Sequence, residues 1–395
     1  MPETVTVTRS MFADRTQWNL TPNRLSEALA RRRAAGLPVL DLTASNPTDC
    51  GFEYDSAAIL KSLASPAALA YTPDPKGLLS ARQAVAGYYA ERGATVLPED
   101  LVLTTSTSEA YSFVFRVLCN PGDTVLVPAP SYPLFGFLAE INDVRLVRYP
   151  LLYDHGWQLD FHDVEQAMGP RTRAVILVHP NNPTGNFISP EEAARLGALC
   201  AARGVALIAD EVFLDFALEG KPACTFAANS PALTFILSGI SKICGLPQMK
   251  AAWVVTNGPA ELKSQALARL EVVADTFLSM NAPVQLALSA MLGQRVGFQR
   301  QALARLRHNL AELDRQLAEQ KACSRLKCEG GWYAVLRVPA TRPEEELAVE
   351  LLTSRGVYVH PGHFYDFGPE GFVVVSLVTS EKVFAEGIKS LLPMF

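Results

Sequence analysis

Between residues 100 and 260 the chain alternates short, almost wholly apolar runs with longer stretches at helical spacing. The runs are "DLVLTT", "DTVLVPAP", "VRLVRYP", "RAVILVHP", "VALIAD", "LTFILSG" and "KAAWVVTN". A strand with one wet face alternates apolar and polar positions, whereas a run that is apolar at every position is buried on both faces. Such runs separated by helices predict a mostly parallel sheet flanked by helices, an α/β unit. Residues 296–320 have no glycine after 297 and no proline, and their periodicity predicts one long amphipathic helix. Beyond it the pattern changes to "GGWYAVLRVP", a helix near 343–355, "GVYVHPG", "GFVVVSLV" and a final helix, which together predict a smaller α+β domain. Near the start, a helix over 22–35 and "VLDLTASNP" precede a turn-rich stretch. The expected organisation is an N-terminal segment 1–55 packing with the small domain, a large domain 56–295, a linking helix 296–320 and a C-terminal domain 321–395.

Composition narrows the class. At 395 residues, with 49% hydrophobic and 19% charged residues and no repeat or low-complexity tract, the chain is long enough for two well-buried cores. A net charge of −5 argues against binding nucleic acid phosphates, and the basic run Arg31–Arg33 reads as a solvated helix face. "MPETVTVTRS" lacks an apolar signal core and no apolar run approaches the ~18 residues of a membrane helix, so a cytoplasmic protein is expected. Seven scattered cysteines read as reduced thiols. The two histidines of "HPGH" are separated by Pro-Gly and cannot share one regular helix face, so no metal site is expected. Neither a G-x-G-x-x-G turn after a strand nor a G-x-x-x-x-G-K-[ST] loop is present, which removes the usual dinucleotide and nucleoside triphosphate sites.

In parallel α/β sheets ligands bind beyond the carboxyl ends of the strands. There "AVILV" is followed by "HPNNPTG" with Asn182, "VALIA" by Asp210, and "LTFIL" by a loop carrying Lys242. An amine at such a place can form a Schiff base with an aldehyde, and a carboxylate can hold a pyridine nitrogen protonated so that the ring withdraws electrons. That combination describes pyridoxal 5'-phosphate. "TTSTSEAYSFVF" offers its phosphate a helix N-terminus with Ser106, Thr107 and Ser108, and Tyr132 of "PAPSYPLF" offers an aromatic face. Each motif alone has an ordinary reading as a turn, a cap or a surface residue; the set in order is what points to a site.

These residues resemble those of the fold-type I pyridoxal-phosphate enzymes of the class I/II aminotransferase group, from about residue 39 to the C-terminus. The resemblance implies a homodimer in which Tyr71 of "YTPDPKG" reaches the phosphate of the neighbouring subunit. It implies phosphate binding by Ser106 and Thr107, ring stacking by Tyr132, and an Asn182 contact to the cofactor's phenolic oxygen. Asp210 of "ADEV" becomes the pyridinium partner, and Lys242 of "SGISK" the Schiff-base lysine and proton shuttle. The implied reaction is transfer of an amino group from an amine or amino acid to a keto acid or another carbonyl acceptor. A lyase, decarboxylase or oxidase reaction on the same lysine-bound cofactor is the alternative.

Four positions depart from the family pattern. Phe213 stands where a tyrosine is usual, Gly239 where a serine is usual three residues before the lysine, and Lys250 where an arginine binds the phosphate. The fourth is Val374 of "FVVVSLV", at the position of the arginine that binds the substrate α-carboxylate; no arginine occurs from residue 356 onward. Either Arg15, Arg24, His360 or His363 takes over that role, or the substrate has no carboxylate there.

Overall fold

A computed structural model describes residues 11–219, 224–228 and 230–395; residues 1–10 of the expected N-terminal segment lie outside it. A short strand β1 (Leu40–Asp41) follows the first helix, Arg24–Ala34. The large sheet is built from β2 (Leu101–Thr104), β3 (Thr124–Ala129), β4 (Arg145–Tyr153), β5 (Trp157–Leu159), β6 (Thr172–Val178), β7 (Ala206–Asp210), β8 (Thr234–Gly239) and β9 (Ala252–Asn257). Its spatial order is β2-β9-β8-β7-β6-β3-β4-β5. β3, β4, β6, β7 and β8 pair in parallel, whereas β9 runs antiparallel to β2 and β8, and β5 antiparallel to β4.

The apolar runs become buried strands by alternation across the sheet. Val175 and Leu177 of β6, with Leu207 and Ala209 of β7, belong to one core. Ala174, Ile176 and Val178, with Ala206 and Ile208, belong to the core on the opposite face. Both parities are therefore apolar because both faces are covered by helices. One such helix, Pro190–Arg203, starts at a capping box in which Ser189 and Glu192 satisfy each other's backbone N–H groups.

The C-terminal part holds β10 (Ser324–Arg325), β11 (Tyr333–Arg337), β12 (Val357–Tyr358), β13 (His360–Pro361) and β14 (Phe372–Ser376). The order β10-β11-β14-β13 forms an antiparallel sheet, while β12 pairs in parallel with β1. A third core joins Leu25, Ala28, Leu42 and Phe52 from the N-terminal segment to Trp332, Val335, Val374, Phe384 and Ile388. Glu344, at 3% exposure, accepts backbone hydrogen bonds from His363, Gly371 and Phe372, which fixes the loop joining β13 to β14.

The long helix spans Ala282–Leu317, starting fourteen residues before the stretch expected from periodicity. Pro283 lies in its first turn, where no backbone N–H is needed, and Gly293 and Gly297 continue it without contact around their α-carbons. Among the described residues no helix is long and apolar enough to cross a membrane.

Candidate active site

The sheet order brings the chemistry together. Val178 of β6 pairs with Asp210 of β7, and Asp210 with Leu237 of β8, so three neighbouring strands end at one edge. Asn182 follows β6 by four residues, Asp210 is the last residue of β7, and Lys242 follows β8 by three. Thr104 of β2 and Gly239 of β8 both pair with Ala252, which brings the end of β2 and the turn after it to the same edge. A cavity of ≈160 Å³ opens there, lined among others by Thr107, Tyr132, Asn182, Asp210, Ser241 and Lys242.

Asp210 is buried; Val212 N–H donates to its Oδ1 at 3.1 Å, and the Tyr111 hydroxyl donates to its Oδ2 at 3.0 Å. Burial pushes its pKa up to about 6 despite these two bonds, because no cation is paired with it among the described residues. A protonated ring nitrogen would supply that missing charge. The Asn182 Oδ1 is buried and has no hydrogen-bond partner among the described residues, leaving an amide aimed for a ligand. Gly185 secures this loop: with φ +73° it turns the chain so closely that a Cβ would meet Gly330 O at 2.6 Å, and its carbonyl accepts from Glu329 and Gly330 N–H.

Lys242 Nζ lies 4.6 Å from the centre of the Trp332 ring and 5.7 Å from that of Phe213. This apolar box and the loss of water lower its pKa to about 8. An amine so placed is a nucleophile near neutral pH. Gly239 explains itself sterically: a side chain there would come within 2.8 Å of Ala251 O and the Ala252 Cβ, so β9 leaves no room for the usual serine.

Thr107 opens the helix Thr107–Leu118 and lines the cavity, while the Ser106 hydroxyl caps that helix by accepting from Glu109 N–H at 3.1 Å. The unpaired N–H groups of this first turn face an anion as helix N-termini do. Tyr132 is at the mouth, 43% exposed. Lys250 and Tyr71 are exposed and outside the cavity lining; Lys250 has a left-handed backbone, φ +53°, two residues before β9.

None of the four proposed substrate residues lines the cavity. Arg15 is ion-paired with Asp143 on the surface, and Arg24 is exposed 3.9 Å from Glu346. His363 Nδ1 is 3.6 Å from Glu344, and His360 Nδ1 bonds the Tyr365 hydroxyl at 3.0 Å. Residues that sequence reasoning missed are Ser45, Tyr111, Ser241 and Tyr333. Ser241 is adjacent to the lysine, and Tyr333 begins a strand after "GG"; Tyr111 carries a helical spacing common to core residues, with no signal of its own.

The family profile "Aminotransferase class I and II" matches residues 38–391. The chain is 28% identical over 363 residues to the glutamate-pyruvate aminotransferase AlaA of Haemophilus influenzae, covering 89% of each. It is 28% identical over 372 residues to the alanine aminotransferase of Mycobacterium bovis, covering 90% of this chain and 85% of that one. Among solved structures, an aminotransferase from Escherichia coli superposes with TM-score 0.86 at 24% identity over 97% of both chains.

Proposed function

The chain belongs to the class I and II aminotransferases, which use pyridoxal 5'-phosphate, and we propose that Lys242, Asp210 and Asn182 are the residues with which it moves an amino group. When bound, the cofactor supplies an aldehyde that takes up the amine and a ring that delocalises the electrons released at the substrate carbon. Asn182, Asp210, Thr107, Tyr132 and Lys242 fit such a group, on the evidence of the orphaned amide, the uncompensated carboxylate and the cavity between them.

In this reading Lys242 Nζ would hold the cofactor at its aldehyde carbon, with loss of water. When free, the same Nζ would accept and return a proton, a task suited to a group whose pKa is near 8. Asp210 holds the ring nitrogen protonated through its Oδ atoms, and Tyr111 keeps that carboxylate oriented. The first turn from Thr107 would bind the phosphate, with Ser106 holding the turn; Lys250, exposed and outside the cavity lining, would have to reach in to add its charge. The Tyr132 ring covers one cofactor face.

The observation that carries the proposal is the adjacency of the β6, β7 and β8 ends, which converges amide, carboxylate and amine on one cavity. Borohydride reduction of the cofactor-loaded protein followed by peptide mass spectrometry should place the label on Lys242. A ¹⁵N-labelled amine donor should then pass its nitrogen to a keto acid or another carbonyl acceptor. Label elsewhere, or ammonia released in place of transfer, would count against the proposal.

We further propose a homodimer in which Tyr71 reaches the partner's site. Its support is the exposed apolar set Leu69, Tyr71, Phe277 and Leu278, which flanks the Ser279 hydroxyl bond to Asp74 O. Sedimentation should give twice the chain mass. A cytoplasmic location is proposed from the seven free thiols, which suit a reducing compartment.

A further inference from the structure

We propose that the substrate end of this site takes a primary amine whose nitrogen-bearing carbon carries a neutral, hydroxyl-bearing group instead of a carboxylate. The inference rests on the Lys242 site assigned above and concerns the wall that the small sheet turns toward it.

Strand register identifies that wall. Tyr333 lines the cavity and is opposed by Ser376; two residues on, Val335 is opposed by Val374. Val374 in turn is opposed by His360 of β13. Directly opposed residues, and residues two apart on one strand, project from the same face of a sheet. Tyr333, Val335, Val374, Ser376 and His360 therefore share the face that Tyr333 presents to the cavity.

That face holds no permanent cation. Its one imidazole, His360, is fixed by the Tyr365 hydroxyl and surrounded by Tyr358, Phe364 and Tyr365, and burial lowers its pKa to about 4 in spite of Asp41 nearby. The imidazole is uncharged at neutral pH. Among the described residues that line the cavity, Lys242 is the only cation, and it is committed to the cofactor. Two arginines on the small-sheet side are engaged elsewhere: Arg305 donates to the carbonyls of Cys50 and Val378, and Arg337 stands over Tyr153 and Phe372.

What the cavity does offer is hydroxyl groups. Ser45, Tyr132 and Tyr333 all line the cavity. A carboxylate brought here would lose its water and meet no opposite charge, whereas an alcohol exchanges hydrogen bonds with these hydroxyls at little cost.

The test compares two amines with one carbon skeleton, L-alanine and L-alaninol, on the cofactor-loaded enzyme. The rate at which each removes the absorbance of the lysine-bound cofactor in a single half-turnover is measured. L-alaninol should react at least about tenfold faster than L-alanine, a difference of one decade in transition-state binding. Val374→Arg should reverse the order. A second reading needs no turnover: propionate should leave the visible spectrum of the wild-type protein unchanged and shift that of Val374→Arg. If Val374→Arg does not fold, the wild-type rate ratio and the wild-type propionate titration decide alone. L-alanine reacting faster than L-alaninol in the wild type, or propionate perturbing the wild-type spectrum, would overturn the inference while leaving transamination intact. A protein in which no cofactor is trapped on Lys242 would overturn this inference and the functional proposal together.

Discussion

The two walls of the cavity come from different sheets and differ in kind. On the large-sheet side, ionisable groups stand at the ends of parallel strands, where Asp210 and Lys242 are largely stripped of water and have no ion-pair partner among the described residues. On the small-sheet side, an antiparallel face presents ladder positions, of which Tyr333, Val335, Val374 and Ser376 are apolar or hydroxyl-bearing and His360 is an uncharged imidazole. The difference has a physical origin. Loops after parallel strands converge and bring distant charges together, whereas a position within a ladder can be exchanged without disturbing the strand pairing. In the reading proposed above, reaction type is vested in the first wall and substrate choice in the second.

The strongest way to break this division is Lys242→Ala. Turnover should fall by about 10⁴-fold, read from steady-state assays, while circular dichroism stays unchanged. Asp210→Ala should follow with a loss of about 10³-fold in kcat, because the ring nitrogen loses its buried counter-charge. The small-sheet wall is better tested by stability. Leu377, fully buried and held by its N–H to Trp332 O, should cost about 3 kcal/mol on truncation to alanine in denaturant unfolding, with cofactor capture on Lys242 retained.

A subtler probe is pH. The Lys242 pKa is lowered to about 8, so below that value its neutral fraction grows as pH rises. Stopped-flow capture of the cofactor should accelerate by about tenfold per pH unit up to that point and then level off. The smallest effect belongs to Arg15→Ala and Arg24→Ala. Both residues form exposed surface pairs, and kcat/KM should change by less than about twofold. A larger drop would move these arginines to the substrate wall and erase the contrast.

Legibility in the sequence follows the same division. Strands whose two parities are both apolar announce a buried parallel sheet, and the residue after each announces the site, so Asn182, Asp210 and Lys242 are readable in advance. Strand β5 is three residues long and antiparallel, too short for periodicity to reveal. The long helix reads short because Pro283, Gly293 and Gly297 look like breaks; a first-turn proline and two glycines with open surroundings do not break it. The faces of the small sheet were beyond reach for another reason. Which side of "FVVVSLV" meets the cavity depends on register with Tyr333 and His360, and in a run of valines alternation carries no phase.

The helix Ala282–Leu317 also has a mechanical meaning. Its first half contributes Leu288 and Met291 to the core beneath the large sheet, and its second half contributes Leu306 and Leu313 to the core of the small sheet. The two glycines fall between these anchored halves, where a helix is least stiff. The stretch beyond Gly297 is a lever about 30 Å long at 1.5 Å per residue, so flexing by about 5° there would displace its far end by 2–3 Å, about the length of one hydrogen bond. The molecule thus has a single beam along which the substrate wall can be tilted against a fixed bench of strand ends.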